Sequence, residues 1–173
     1  MTTGQTMMTI FAFILLTTTL TSFYRLLGTT GDDISSGQDG ILATTIATSY
    51  MEIAQGKAYD EETDTSNVAI GNPSALTLPN NLGPDLADGD SIHEFNDFDD
   101  LDGLVLETQA GLTGRMYATA FDVNYVDPDD ISSISNSRTF VKRMDIMTWR
   151  TVPPTPNADT LRLSTVLGYF HFD

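Results

Sequence analysis

The residues best suited to chemistry lie in one acidic run: Asp88, Asp90, Glu94, Asp97, Asp99, Asp100 and Asp102. Hard cations prefer several carboxylates together with turn carbonyls, which makes the run a candidate calcium site with Asp97, Asp99, Asp100 and Asp102 as ligands. The run departs from the EF-hand loop, which needs an acid five residues before its glycine; here Phe98 stands five before Gly103. In so acidic a chain the competing reading is a solvated Asp-rich turn. Apart from this candidate calcium, no cofactor is expected. The only histidines, His93 and His171, form no H-E-x-x-H or H-x-H pair. Catalysis needs a positioned base with an orienting partner, and no nucleophile elbow, P-loop or dinucleotide fingerprint is present. We therefore expect no enzyme. Tyr125, Trp149, Tyr169 and Phe170 read as core rather than as a ligand platform. Asp127, Asp129 and Asp130 around Pro128 read as a turn.

Composition narrows the partners of whatever these residues do. The chain has 173 residues, 24 acidic against 8 basic, and a net charge of −16. Lys57 and Lys142 are its only lysines. No basic patch exists to neutralise phosphates, which excludes nucleic acid and an anionic lipid surface as partners. The acidic excess fits either an acidic binding head or the surface of a protein from a very salty habitat, where screening suppresses carboxylate repulsion. Its spread over the whole body, rather than one tail, favours the second. There is no cysteine, so neither disulfide, thiol nucleophile nor acylated cysteine is available.

The elements that must position these groups begin with an uncharged apolar run that Arg25-Leu26-Leu27 closes. At roughly 1.5 Å per residue, Gln5 to Leu27 is long enough to cross a bilayer as a helix. Without a basic start or a clear small-residue cleavage site, it does not read as a cleaved secretory signal. Met7, Met8, Ile10, Phe11, Phe13, Ile14, Leu15, Leu16 and Leu20 surround the helix, and a helix apolar on all sides is buried on all sides. Lipid or further copies of the same helix would satisfy it. Thr9, Thr17, Thr18, Thr19, Thr21 and Ser22 are frequent for a plain anchor; their hydroxyls can bond back to helix carbonyls, and their size permits close helix approach. Arg25 alone would place its end of the helix in the cytoplasm.

Residues 28–40 carry Gly28, Gly31, Gly37 and Gly40 among Asp and Ser, and predict a kinked, extended or partly melted joint. Leu42, Ile46, Tyr50 and Ile53 then predict an amphipathic helix over 41–57 with a core-facing stripe, ending near Gly56 and Lys57. Residues 60–103 are Asp- and Pro-rich and irregular, with short pieces at most. From residue 104 to 173 alternation takes over. Strands are predicted at 114–126, 139–152 and 159–170, separated by turn signals, as an antiparallel meander packed on helix 41–57. The fold class is α+β: a hydrophobic helix 1–27, a joint 28–40, and a head 41–173.

This layout resembles that of a type IV pilin or a type II secretion pseudopilin. Gly4-Gln5-Thr6-Met7-Met8-Thr9 looks like the prepilin junction, with Gly4 as the processing glycine, Gln5 as the mature N-terminus, and Thr9 where the family carries an acid. Ala47 to Tyr59 is similar to the helix that follows the joint in pilin-like proteins. Phe95 to Gly103 resembles an Asp-rich turn ahead of the sheet in some prepilin-like subunits. The resemblance implies a homopolymer whose N-terminal helices form the core of an extracellular filament, with the head outside. It also implies residence in the inner membrane beside an assembly machine before polymerisation. A heterologous contact between identical subunits gives an open helix when its rotation does not close. The alternatives are a membrane-anchored minor pseudopilin or secretion accessory protein, and a cell-surface binding module.

Overall fold

A computed structural model of the chain describes residues 2–65, 70–85, 89, 91–111, 114–154 and 160–170. Residues 1–41 and 42–173 form two separate units. One helix, α1, runs through Thr3–Gln55 without interruption. The joint expected at 28–40 is therefore helical, and the two predicted helices are one. Glycine weakens a helix by about 1 kcal/mol each relative to alanine but does not forbid it, and no proline precedes Pro73 to remove a donor. None of Gly28, Gly31, Gly37 and Gly40 adopts a left-handed conformation, and a Cβ at each would meet open space. At the other end Gln5 N donates to the backbone oxygen of Thr2 (2.9 Å), and the Gln5 side chain caps the helix start through Oε1, which accepts from Thr2 N (3.2 Å).

In the second unit α1 ends as Gly56 N and Lys57 N turn back to Ile53 O and Ala54 O. A short helix α2 (Glu61–Thr65) follows, then 3₁₀ turns at Pro73–Ala75, Pro79–Asn81 and Asp99–Leu101. Five strands complete the head: β1 (Val105–Ala110), β2 (Arg115–Asp127), β3 (Asp130–Ile134), β4 (Val141–Val152) and β5 (Leu161–Gly168). The sheet order is β1-β2-β4-β5, all antiparallel, with β3 folded back on the end of β2. The three predicted strands are β2, β4 and β5; β1 and β3 are additional. The β2–β3 turn is the predicted one, tightened by Asp127 Oδ1, which accepts from Asp129 N, and by Asp130, which accepts from Ser132 and Ser133. The Val152–Pro153 peptide is cis.

One row of side chains on the inner face sets the core. Thr119, Phe121, Val123 and Tyr125 of β2 lie opposite Thr148, Ile146, Met144 and Lys142 of β4, and all eight are buried. Strand β5 continues the row with Leu161, Leu163, Thr165 and Leu167. The helix meets this face through Ala43, Ala47 and Ala54, the buried residues of α1. The predicted stripe Leu42, Ile46, Tyr50 and Ile53 flanks that alanine line, half-buried. Small residues at the centre let the helix backbone approach the sheet while the large ones fill the sides. Tyr50 packs edge-on against Phe121 with centroids 5.6 Å apart, and its hydroxyl lies 2.6 Å from Thr108 Oγ1.

Candidate functional site

Where β4 reaches the end of the hydrophobic row, the inward position holds a lysine. A parallel bridge, Ala58 to Asp97, ties the chain leaving α1 to the chain entering the Asp99–Leu101 turn. Ala58 N donates to Asn96 O and Phe98 N to Ala58 O. That pairing brings Tyr59 and Asp60 beside Asp97, Asp99 and Asp100, and the Lys142 side chain reaches up from the sheet between them. Its ammonium makes three bonds: to Tyr59 O (2.9 Å), Asp60 Oδ2 (2.8 Å) and Asp99 Oδ1 (2.5 Å). All three protons of the group are thereby used. The rings of Tyr59 and Tyr125 lie 4.6 and 5.1 Å from Nζ and face the charge. Lys142 and Asp60 are wholly buried, and Asp99 is 3% exposed.

The carboxylates differ in how they are held. Asp60 accepts from Thr77 N at both oxygens (3.2 and 3.1 Å), from Thr77 Oγ1 (3.1 Å) and from Glu62 N (3.3 Å). The Tyr125 hydroxyl lies 3.1 Å from Asp60 Oδ2 and 2.8 Å from Thr77 O, with one proton to give to either. Burial pushes the Asp60 carboxyl up, but the Lys142 charge and these donors outweigh it and hold the group below its usual range. Asp97 turns its carboxylate onto the backbone, accepting from Asp99 N (2.9 Å) and Asp100 N (3.0 Å). Asp100 reciprocates with Asn96 N and Asp97 N. Burial, then the charges of Asp99 and Asp100, push Asp97 up to about 8. Asp99 is also raised, by burial against the pull of Lys142, and hydrogen bonds to the Asp97 side chain. Burial raises both phenols, Tyr59 and Tyr125, aided by the charges of Asp60 and Asp99.

This arrangement corrects the reading of the acidic run as a solvated turn: Asp97, Asp99 and Asp100 are buried. It also redirects the calcium expectation. Their oxygens face backbone amides and an ammonium, and among the described residues no three acidic or histidine side chains converge as cation ligands. Asp102 is separate, accepting from Val123 N (2.8 Å) to fasten the turn to β2. Asp88, Asp90 and His171 lie outside the described residues, and His93 is exposed. Of the aromatics expected in the core, Tyr125 is buried, Trp149 and Tyr169 are half-buried, and Phe170 is 77% exposed. Sequence reasoning missed Lys142, Asp60 and Tyr59. The available signal was parity: in β4 a lysine shares its face with Met144, Ile146 and Thr148.

In the first unit the apolar positions are uncovered. Met7, Met8, Ile10, Phe11, Phe13, Ile14, Leu15, Leu16 and Leu20 are each between 52% and 79% exposed. The threonines among them are satisfied within the helix: Thr9, Thr17, Thr19 and Thr21 donate to carbonyls four residues back, at 2.6 to 2.8 Å. Their hydroxyl protons are thereby used within the helix. The segment is long and apolar enough to cross a membrane, with a mean hydropathy of 1.6 over its best window. Gly4 and Gln5 lie in the first turn. Compared with family models, curated proteins and solved structures, the chain matches none.

Proposed function

We propose that this protein is a structural, non-catalytic subunit of an extracellular pilus-like filament, its N-terminal helices forming the filament core and its acidic heads the surface. One observation carries the reading: an apolar helical stretch with no side chain of residues 7–27 buried precedes a separate compact unit that bears the antiparallel sheet. Burying each large apolar side chain is worth about 1.5–3 kcal/mol, so the exposed set demands lipid or other copies of the helix. Lipid serves before assembly, in the inner membrane, and neighbouring helices serve afterwards. Back-bonded threonines suit both, because they leave small, internally satisfied surfaces for close helix packing. Thr9, which stands where pilin-like chains carry an acid, donates to Gln5 O and leaves no buried charge to be matched by a neighbour. Register between copies would then rest on shape. Negative-stain images of cells expressing the protein test the proposal: filaments lost on deletion of the gene support it. No filaments, or filaments unchanged by deletion, would leave a singly acting anchored protein instead.

A further inference from the structure

The seam between α1 and β4 places a primary amine against a carboxyl group under conditions that favour their condensation. We propose that Lys142 Nζ and Asp99 Cγ become joined by an amide bond within the folded head, making an intramolecular cross-link between the Asp99–Leu101 turn and β4. The inference stands on the head alone and does not depend on the filament reading.

Four features support it. The reacting groups are in contact, with Nζ 2.5 Å from Asp99 Oδ1, and the fold holds them there, so the encounter is effectively unimolecular. Both are buried, where an ion pair is costly, a neutral amide less so, and water to reverse the reaction is scarce. Proton carriers flank the pair: Asp60 lies 2.8 Å from Nζ on one side, and the Asp97 carboxyl bonds to Asp99 on the other. Finally, the two candidate acyl groups are unequal. Asp60 is held as an anion by donors from Thr77 and Glu62, whereas Asp99 accepts a hydrogen bond from the Asp97 carboxyl.

The step balances without any co-reactant. Lys142 passes one ammonium proton to Asp60, and the freed amine lone pair attacks Asp99 Cγ. A carbon–nitrogen bond forms, and Asp97 donates its proton to the departing Asp99 oxygen. The carbon–oxygen bond breaks, the nitrogen loses its second proton to that oxygen, and water leaves. The proton held by Asp60 returns to Asp97. Net, one ammonium and one carboxylate give one amide and one water. No oxidation state changes.

Mass spectrometry of the full-length wild-type chain, extracted in detergent and denatured, tests the proposal. After trypsin, peptide 58–115 should appear joined to peptide 139–143, uncleaved after Lys142 and lighter than their sum by one water. Fragmentation should place the link at Asp99. Free peptides with cleavage after Lys142, or a link mapped to Asp60, would overturn it. Asp99→Ala should release both peptides, while retained linkage in that variant would refute the assignment. A water loss confined to peptide 58–115 alone would mark dehydration of an aspartate and would also overturn the cross-link.

Discussion

Replacing Lys142 by methionine should cost the head about 3–5 kcal/mol, the usual consequence of removing one partner from a buried ion pair. The structure sets the origin of this loss. Lys142 is the cation nearest Asp60 and Asp99, both are out of water, and its three bonds also include Tyr59 O. Methionine keeps the stem packed against Tyr59 and Tyr125 but leaves two carboxylates facing each other. Against a total stability of about 5–15 kcal/mol, the variant should be marginal. The loss can be read from urea unfolding of the full chain in detergent, followed by fluorescence of Trp149, the only tryptophan. Adding Asp60→Asn and Asp99→Asn to Lys142→Met should restore most of the loss that is electrostatic, since the stranded charges are gone. In the cross-linked head a neutral amide replaces the ammonium and the Asp99 carboxylate, and the loss is then that of the link: Lys142 and Asp99 are 43 residues apart, and closing such a loop stabilises by about 4 kcal/mol through the unfolded chain. That part no asparagine can restore. The rescue variant therefore separates an ion-paired head, which it restores, from a cross-linked one, which it does not. A Lys142→Met protein within about 1 kcal/mol of wild type would refute the reasoning, because no buried charge could then have been stranded.

Asp97→Asn should change how stability depends on pH. The Asp97 carboxyl is pushed up to about 8 in the folded head, so the folded state keeps a proton that the unfolded chain releases above the ordinary carboxylate range. Stability contributed by this group is therefore lost as pH rises from about 4 towards 8, with a slope of up to about 1.4 kcal/mol per pH unit. The asparagine variant should show a shallower slope in urea titrations at those pH values; an unchanged slope would contradict the assignment. Asp60 works the other way, and its contribution should be lost only below the ordinary carboxylate range. Phe13→Asp places a charge on the apolar helix, at about 2.5–3.5 kcal/mol for insertion. It should shift the protein from the membrane fraction, or abolish filaments, while leaving Trp149 fluorescence unchanged. Gly31→Ala with Gly37→Ala should raise the helicity of a detergent-bound peptide spanning residues 22–41, by about 1 kcal/mol per site, because both glycines are helical with room for a methyl group. Circular dichroism showing no gain would argue for the broken joint that composition predicts.

What was legible in the chain followed the strength of its periodicity. Strands β2 and β4 alternate over 13 and 12 residues, long enough for period two to stand out, and both were read from the sequence. Strands β1 and β3 span 6 and 5 residues, and β3 is exposed throughout, so no burial pattern marks it. The helix stripe was found by its large residues, although contact with the sheet is made by Ala43, Ala47 and Ala54, whose small side chains carry little hydropathy signal. The joint misled because glycine counts against a helix in any propensity scale, yet four of them do not stop one that lacks proline. The acidic run was recognised as a cluster but assigned to water or calcium. Lys142, which the structure places against Asp99, sits 43 residues away on another element, a distance across which sequence patterns carry no information.

The two lysines show how an acidic chain without cysteine can hold its helix to its sheet. Lys57, just past the end of α1, donates to Phe95 O (2.7 Å), and Lys142 donates to Tyr59 O (2.9 Å). Both therefore clamp the same short seam, where residues 58–60 run beside residues 95–99. With 24 acidic residues the chain has no shortage of charge, and surface ion pairs would add little, a median near 0–1 kcal/mol each. Placing its lysines here puts them where desolvation makes a lost partner expensive. A subunit whose helix is gripped by neighbours passes a pull on α1 into the head through the helix's own contacts with the sheet and then through this seam, which the chain leaving the helix enters at Ala58. A tensile role would therefore select for this seam to resist opening, through backbone pairing, the Lys57 hydrogen bond, aromatic contacts and the Lys142–Asp99 amide. A simple anchor, bearing no load, would have no such requirement. Mechanical unfolding of the wild-type chain pulled from its N-terminus should show the seam as the last element to yield, and early release of residues 56–60 would argue against the tensile role.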